Sequence, residues 1–468
     1  MSNAPEKSVA AVAIDLGSTR FKLGCIDRSG RLSRVAALPA PRLTGEGLVR
    51  QVDAATFLRQ VERLWDEFEG ELAGMPFGLV CQRSTFVVWD RQSGRPLTPV
   101  VSWQDRRAAD WCEEHVFADE LLRRRTGLLM SPHYAGPKLA AMMREDPELT
   151  AQLQSGDALF GTLDAWLTWV WTAGAIHRSD LTMAARTAMV DIVAGDWCDE
   201  LLDLYGMTRS ALPDIVATDA PPVDLRNGAR LTASIADQAS GALAVLDPQL
   251  DAALVNLGTG AFVLRPVGDA SIRRDGYLTG PILSSETLGE RSVLEGTING
   301  AGPAVDRFGR ESALLPTEDP APEAFAIPDL AGIGAPHWRP EFDLTLSRAA
   351  KKLEVPLEQR RVVIEGLLFR VYEILRDVSD GRLPANVYVS GGLVRDPAVA
   401  QGLATLLDAP VHVFDEAEST LLGVARLAMG IRPFAAADAQ CVAPAASGAY
   451  LRDKFGRWES WVRGVLAA

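Results

Sequence analysis

A carboxylate, a glycine and two hydroxyl side chains stand together near the start of the chain, between two apolar runs. Val9 to Ile14 is followed by Asp15-Leu16-Gly17-Ser18-Thr19-Arg20, and Phe21 to Ile26 comes next. This order predicts a strand, a tight turn and a returning strand. The N–H groups and hydroxyls of such a turn can bind phosphate oxygens, while Asp15 can hold Mg²⁺ directly or through water. The same pattern is also typical of a plain tight hairpin, so both interpretations stay open.

A second hairpin of this kind is predicted in the other half of the chain. Ala253 to Asn256 is an apolar run, Leu257-Gly258-Thr259-Gly260 is a turn, and Ala261 to Val267 is the predicted returning strand. A long helix over Leu357 to Val378 then precedes a strand over Asn386 to Ser390. A Gly/Thr hairpin therefore opens each half of the chain.

The first half shows the same succession of a helix and a strand behind its hairpin. Apolar residues recur at helical spacing after Asp53, which predicts an N-cap and an amphipathic helix over Ala54 to Gly70. Phe77 to Cys81 is then a short strand, and Thr85 to Asp90 is a further one. We expect two copies of one architecture, with a boundary near Ala244 to Asp251 and domains at 1–246 and 247–468. A nucleotide would be held in the cleft between them.

Composition excludes several classes of protein. The 468 residues carry a net charge of −14 and a pI near 5.0, which disfavours nucleic acid or an anionic membrane surface as a partner. Five dispersed cysteines without Cys/His spacing predict neither a disulfide framework nor a zinc site, which suits a reducing, cytoplasmic location. Met1 to Lys7 is too short and polar for a signal peptide, and Ala165 to Ile176 is too short to span a bilayer.

Further motifs follow one another in a characteristic order. They are Cys81-Gln82-Arg83-Ser84-Thr85, Val101-Ser102-Trp103-Gln104-Asp105-Arg106-Arg107, Gly136-Pro137-Lys138-Leu139, Ala185-Arg186-Thr187, Asp237-Gln238, Leu294-Glu295-Gly296, Gly334-Ala335-Pro336-His337-Trp338 and Ser390-Gly391-Gly392. Together with the two hairpins, they make the chain resemble the FGGY family of carbohydrate kinases, and within it the glycerol kinases. The resemblance implies an α/β fold of two ribonuclease-H-like domains, as in the actin, hexokinase and Hsp70 superfamily. Mixed sheets flanked by helices would enclose a cleft.

The resemblance implies ATP-dependent phosphorylation of a hydroxyl group on a small sugar or polyol, with ATP and Mg²⁺ as cofactors. It also makes a homodimer an expectation, since dimers are common among the resembling kinases. The alternative is a sugar-sensing or low-activity member that binds ligand and nucleotide without efficient transfer. Ala236, Arg307 and Asp396 favour this alternative, because they depart from the residues usual in the family.

Phosphoryl transfer needs one carboxylate that orients or deprotonates the attacking hydroxyl. Asp237 lies where the family has its catalytic Gly-Asp-Gln, so the resemblance implies that Asp237 takes the substrate proton. The alternative is that Asp237 only caps a helix over Gln238 to Leu246. Ala236 replaces the family's glycine beside it, which restricts the backbone there.

The resemblance assigns nucleotide contacts to both hairpins and to residues further along the second half. Asp15 corresponds to the metal-associated carboxylate, whereas Lys22 has the alternative of a solvated strand residue. Asp396 stands where the family usually has Asn. The predicted ATP-binding residues are Ser18, Thr19, Lys22, Gly258, Thr259, Gly302, Gly391, Gly392 and Asp396.

Arg83 and Trp103 match residues that hold and cover the polyol in glycerol kinases, and Gln238 adjoins the base. Two other substrate positions differ, because Ser84 replaces a glutamate and His133 replaces a tyrosine. A site that selects hydroxyls through hydrogen bonds changes specificity when such partners change. We therefore expect a substrate other than glycerol, such as a longer polyol or a ketose.

Overall fold

The computed structural model describes residues 9–68, 72–432 and 439–467. Within these ranges no helix is long and apolar enough to cross a membrane.

The first half of the chain is built on a six-stranded mixed sheet with helices packed against it. Its elements are β1 (Val9–Leu16), β2 (Arg20–Asp27), β3 (Leu32–Pro39), β4 (Gln51–Val52), α1 (Ala54–Asp66), β5 (Pro76–Cys81), β6 (Phe86–Asp90), β7 (Val100–Val101), α2 (Ala109–Glu114), α3 (Asp119–Thr126), α4 (Ala135–Glu145), α5 (Pro147–Ser155), β8 (Ala158–Thr162), α6 (Leu163–Trp171), β9 (Arg178–Asp180), α7 (Leu181–Ala184), β10 (Val190–Asp191), β11 (Asp196–Trp197), α8 (Asp199–Tyr205), β12 (Asp214–Val216), β13 (Val223–Asp224), β14 (Arg230–Ala236) and α9 (Asp237–Leu243).

The second half is built on a seven-stranded sheet. Its elements are β15 (Ala252–Leu257), β16 (Ala261–Val267), β17 (Leu278–Ser285), β18 (Gly289–Ile298), α10 (Ala301–Asp306), β19 (Ala326–Ile327), β20 (Thr345–Leu346), α11 (Pro356–Val378), β21 (Asn386–Ser390), α12 (Pro397–Leu407), β22 (Val411–Phe414), α13 (Ser419–Ala428), β23 (Gln440–Val442) and α14 (Leu451–Ala467).

The two sheets repeat one topology strand by strand. The first runs β13-β14-β5-β1-β2-β3, and the second, taken from its other edge, runs β23-β22-β21-β15-β16-β18-β17. The leading strand of each sheet, β1 or β15, pairs antiparallel with its hairpin partner and parallel with the strand that follows a long helix. The predicted duplication is therefore confirmed. The carboxyl ends of the parallel strands meet at one edge of each sheet, where ligands bind in open α/β sheets.

The predicted elements behind the two hairpins are also confirmed. Asp53 caps α1 by accepting a hydrogen bond from the N–H of Thr56 at 2.8 Å. The helix ends at Asp66, before the predicted Gly70, which lies outside the described residues. In the second half, α11 and β21 begin and end within one residue of the predicted bounds.

A smaller sheet inserted into the first half was not predicted. It has four strands in the order β4-β7-β6-β8, and the predicted strand Thr85 to Asp90 lies in it as β6 rather than in the large sheet. It shares a separate apolar core with α4 and α8, in which Phe86, Phe160 and Leu201 are completely buried. This insertion carries one wall of the cleft.

Helix α13 belongs to the second half of the sequence but packs on the sheet of the first. Its Leu421 and Val424 lie in the same core as β1 and β5, and its N-terminal turn crosses α9. The Ser240 hydroxyl donates a hydrogen bond to the carbonyl of Thr420 at 2.6 Å. A methyl group at Gly423 would overlap the carbonyl oxygen of Ser240. The two halves are therefore joined by a close helix crossing that needs glycine.

We expect Gly423→Ala to destabilise the protein by roughly 1–3 kcal/mol, because overpacking would push α13 away from α9. Thermal unfolding followed by scanning fluorimetry would measure the change. Gly456→Ala is the matched control, since Gly456 lies on the exposed face of α14 and an added methyl there meets no atom within 4 Å. Equal melting temperatures for the two variants would contradict the close crossing.

Candidate functional site

Asp15 lies at the carboxyl end of β1, where its side chain is almost completely buried. It is paired with Lys22 across the hairpin and with Val80 of β5. Burial, followed by the nearby negative charge of Asp237, raises the pKa of Asp15 to about 7, against the effect of the Lys22 ammonium. The hairpin residues Ser18 and Thr19 are exposed beyond it. The first hairpin thus presents a carboxylate that is costly to ionise without a cation.

Lys22 binds Glu418, which immediately precedes α13. The ammonium donates to Oε2 of Glu418 at 2.6 Å, and both side chains are about one quarter exposed. Lys22 is therefore an ion-paired residue of the site, and its predicted contact with ATP would require it to leave or share Glu418.

The second hairpin packs against the start of α10. The N–H of Gly302 donates to the carbonyl of Thr259 at 3.2 Å, and a side chain at Gly302 would overlap the carbonyl oxygen of Gly258. The structure therefore brings Gly258, Thr259 and Gly302 together, as predicted for one binding pocket. Gly302 supports the hairpin from behind.

The glycines after β21 lie beside this hairpin. Gly391 has a φ of 96° and approaches Leu257 so closely that a side chain would overlap its backbone, whereas a methyl at Gly392 would meet no atom within 4 Å. The Ser390 hydroxyl accepts a hydrogen bond from Asn256 Nδ2 at 3.1 Å, which ties the ends of β15 and β21 together. These contacts leave an open surface at Gly392.

Asp396 is buried and already bound to protein groups. It caps α12 through the N–H of Ala398 at 2.9 Å, pairs with Arg360 at 2.6 Å and accepts a hydrogen bond from the Ser312 hydroxyl at 3.0 Å. The structure gives Asp396 a structural role, and it does not present this carboxylate to the cleft. We therefore do not propose that Asp396 contacts ATP.

Asp237 occupies the first turn of α9, and the N-cap is Ala236, so Asp237 does not cap the helix as the alternative interpretation required. Its carboxylate accepts a hydrogen bond from the N–H of Gln238 at 2.9 Å, and its Oδ1 atom lies 3.8 Å from Nε of Arg83. Burial raises the pKa of Asp237, while the Arg83 guanidinium acts to lower it. The result is a partly exposed carboxylate with a raised pKa, which is typical of a general base.

A buried polar network fixes the backbone in front of Asp237. The N–H of Ala236 donates to the Thr182 hydroxyl at 2.9 Å, and that hydroxyl donates to Asp180. Asp180 also accepts a hydrogen bond from Thr218 at 2.7 Å. Ala236 has φ −69° and ψ 147°, which any residue adopts, so the replacement of the family's glycine causes no backbone strain.

Two carboxylates near one another suit a magnesium ion that also binds phosphate. Asp15 and Asp237 are close enough for the charge of one to raise the pKa of the other. Among the described residues no group of three or more His, Cys, Asp or Glu side chains could hold a metal ion by itself. Mg²⁺ is commonly bound by one or two carboxylates together with waters and substrate phosphates. The donor set therefore fits a metal that arrives with a nucleotide.

Trp103 and His133 form a wall of the cleft on the inserted part of the first half. Their ring centroids are 5.6 Å apart, and both side chains are half-buried. Burial, together with the positive charges of Lys138, Arg186 and Arg83, holds the pKa of His133 well below its usual value. His133 is therefore a neutral imidazole in a positive environment.

Ser84 lies below this surface. It is completely buried at a φ of 60°, and its hydroxyl donates to the carbonyl of Arg186 at 3.0 Å. The Ser84 carbonyl accepts a hydrogen bond from the buried ammonium of Lys138 at 3.0 Å, and the same ammonium donates to the Ser102 carbonyl at 2.9 Å. The structure does not place the Ser84 side chain on the cleft surface, and direct contact with substrate is not part of our proposal.

Three side chains without a role in the sequence analysis lie around Arg83 or support it. Arg186 and Glu295 are buried partners of each other. The Lys138 ammonium donates to the carbonyls of Ser84 and Ser102. All three belong to motifs seen in the sequence, and Glu295 stands out as a charge within the buried stretch of β18. Its partners could not be identified because they lie far away along the chain.

Comparisons with known proteins place both halves in one family. The N-terminal domain of the FGGY family of carbohydrate kinases matches residues 10–231, and the C-terminal domain of that family matches residues 253–430. A glycerol kinase from Xanthobacter autotrophicus is 31% identical, with 89% of this chain and 89% of the relative covered.

Solved structures share the fold across nearly the whole chain. Glycerol kinase from Plasmodium falciparum with ADP superposes with a TM-score of 0.84 at 19% identity, covering 97% of this chain and 98% of that one. A ligand-bound xylulose kinase from Lactobacillus acidophilus gives 0.82 at 19% identity, covering 98% of each chain. The expected α/β fold with two related domains is confirmed.

The buried carboxyl of Asp15 should make the protein less stable as pH rises. Its pKa is about 7 in the folded protein and 3.8 when unfolded, so the native state binds more protons between these values and stability falls across that interval. In EDTA at pH 8, we expect Asp15→Asn to melt above the wild type, by an amount equivalent to roughly 1–3 kcal/mol. The difference should shrink towards pH 5. A gap that grows towards acid pH, in melting curves from pH 5 to 8, would contradict this reasoning.

Proposed function

Because the chain belongs to the FGGY family of carbohydrate kinases, we propose that it transfers the terminal phosphoryl group of ATP to a hydroxyl of a small sugar or polyol other than glycerol. Enzymes of this family are phosphotransferases with an alcohol group as acceptor. The observation that carries the proposal is the position of Asp237, at the head of α9 beside Arg83 and near the Asp15 hairpin.

Asp237 supplies the protein's part of the chemistry. Its carboxylate, held by the N–H of Gln238, orients the acceptor hydroxyl and takes its proton as the oxygen attacks phosphorus. Gln238 adjoins the base, and its buried Oε1 atom has no hydrogen-bond partner among the described residues. That oxygen is a suitable acceptor for a second substrate hydroxyl.

The nucleotide is proposed to lie between the two hairpins. Gly258 and Thr259 face its phosphates from one side, while Ser18 and Thr19 face them from the other. The open surface at Gly392 is proposed to lie against the adenosine. Asp15 would hold Mg²⁺, which neutralises phosphate charge when bound. Lys22 would add a positive charge beside the phosphates if its ammonium binds the nucleotide as well as Glu418.

The acceptor is proposed to lie against Arg83 and the wall formed by Trp103 and His133. A neutral imidazole at His133 offers one donor and one acceptor where the glycerol kinases resembled above have a phenol. Ser84 offers the substrate no acceptor, since its side chain is completely buried and its hydroxyl donates to the carbonyl of Arg186. These two differences support a substrate other than glycerol, such as a longer polyol or a ketose.

ADP release from ATP and Mg²⁺ would be measured with glycerol, erythritol, xylitol, D-xylulose and D-ribulose as acceptors. We expect kcat/KM for the best acceptor to exceed that for glycerol at least about tenfold, as expected when a hydrogen-bonding site changes partners. Glycerol as the best acceptor would refute the specificity proposal. Binding of acceptor and ATP without ADP release would favour the low-activity alternative.

Asp237→Asn should lower kcat by about 10²- to 10⁴-fold, because the amide cannot accept the substrate proton. Acceptor affinity, measured by titration calorimetry, should stay within about threefold of the wild type, because the amide oxygen retains the carboxylate's shape. Asp247→Asn is the control, since Asp247 follows α9 and bonds only its own turn, at the N–H of Gln249. Unchanged turnover in Asp237→Asn would remove Asp237 from the role of base.

A further inference from the structure

Arg83 is suspended between two carboxylates that come from different halves of the chain. Its Nε lies 3.8 Å from Oδ1 of Asp237, and its Nη1 lies 3.6 Å from Oε2 of Glu295. Asp237 begins α9, whereas Glu295 projects from β18 in the sheet of the second half. Both distances exceed that of a normal hydrogen bond, so the guanidinium N–H groups remain available for a ligand.

Glu295 also holds a second arginine. The Nη2 atom of Arg186 donates to Oε2 of Glu295, the same oxygen that faces Arg83. Arg186 is fixed in turn, because its carbonyl accepts the hydrogen bond from Ser84 and its guanidinium contacts Tyr134. Glu295 is therefore the common partner of two arginines.

The cluster of two arginines and two carboxylates has no net charge only because Glu295 is ionised. Two guanidiniums face two carboxylates; Arg186 and Glu295 are buried, whereas Arg83 and Asp237 are partly exposed. Burial would raise the pKa of Glu295, but Arg186 and Arg83 outweigh it and hold that pKa below its usual value. Without the Glu295 charge, Asp237 would be the nearest carboxylate left for Arg83, and an ion pair at hydrogen-bond distance would form.

We propose that Glu295 is a positioning residue that holds Arg83 next to Arg186 and prevents it from closing onto Asp237, so that Arg83 stays free for the acceptor and Asp237 stays free for its proton. The inference rests on the proposed function, because it takes Arg83 as a substrate contact and Asp237 as the base. A cavity of about 20 Å³ is lined by Arg83, Arg186, Gln238 and Glu295, so the guanidinium that Glu295 holds borders an open space.

Glu295 belongs to the second sheet, on the nucleotide side, and yet it would affect binding of the acceptor. Glu295 pairs with Leu264 of β16 through the β-ladder and is buried, so its backbone is fixed by the second sheet. Arg83 and Arg186 come from the first half. Loss of the Glu295 charge should therefore disturb the acceptor site and the base while the two hairpins keep their geometry.

The test compares steady-state kinetics of the wild type and Glu295→Gln, which keeps the shape and removes the charge. With the best acceptor of the panel, we expect kcat/KM for the acceptor to fall by about 10²-fold, as for a misplaced catalytic contact. The KM for ATP should stay within about twofold, since the hairpins are unchanged. Glu295→Asp restores the charge and should recover part of the loss.

Glu373→Gln is the matched control. Glu373 is another buried carboxylate of the second half that pairs with an arginine, Arg370, but it lies on α11 away from the cleft. Its neutralisation should lower the melting temperature and leave acceptor kinetics near those of the wild type. A purely structural role for Glu295 would make the two variants alike.

A crystal structure of Glu295→Gln tests the inference without any substrate. We expect Arg83 to move within hydrogen-bond distance of Asp237, and an unmoved Arg83 would overturn the proposal. Wild-type acceptor kinetics in Glu295→Gln would overturn it too. If the wild type phosphorylates no acceptor in the panel, the proposed function fails while this structural test still decides the inference.

Should Glu295→Gln fail to fold, Glu295→Asp replaces it. An acceptor KM raised by at least about threefold then supports the proposal, and an unchanged one refutes it.

Discussion

The site depends on two carboxylates, Asp15 and Asp237, that lie close to one another and whose pKa values are both raised by burial. Asp15 ends β1 and Asp237 follows β14, and both of these strands flank β5 in the same sheet. Neighbouring strands lie about 5 Å apart, so the two side chains converge over the end of β5. Arg83 follows that same strand end and faces Asp237. Strand order thus creates a negative centre whose charge a metal ion or an arginine must compensate.

Duplication of the fold explains why the remaining parts are within reach. In the second sheet, a hairpin follows β15 as the Asp15 hairpin follows β1 in the first sheet. Gly391 and Gly392 follow β21, the strand that corresponds to β5. The close crossing of α9 and α13 connects the base, which begins α9, to Glu418, which precedes α13 and binds Lys22. The helices that join the halves therefore also position two carboxylates near the first hairpin, Asp237 and Glu418.

Local patterns were enough to predict the hairpins, α1, α11 and β21, because each is defined by apolar periodicity or turn residues within a short stretch. The inserted sheet was missed because β4 and β7 have only two residues each, too few to show any periodicity. Asp15 and Asp237 could be singled out from the sequence because each stands in a motif that carries its own chemistry, and their roles stay predictions. Glu295 and Lys138 could not receive roles, because their partners are brought near only by the tertiary fold.

Departures from the family's pattern have different physical consequences at different positions. Ala236 costs nothing, since its backbone conformation does not require glycine. Asp396 is used as a helix cap and as the partner of Arg360, so its carboxylate is occupied by protein groups. The Ser84 hydroxyl donates to the carbonyl of Arg186, so this side chain serves the fold below the cleft surface. Of these departures, only His133 changes a side chain on the cleft wall itself. Specificity should therefore follow the hydrogen-bonding needs of a neutral imidazole beside Trp103.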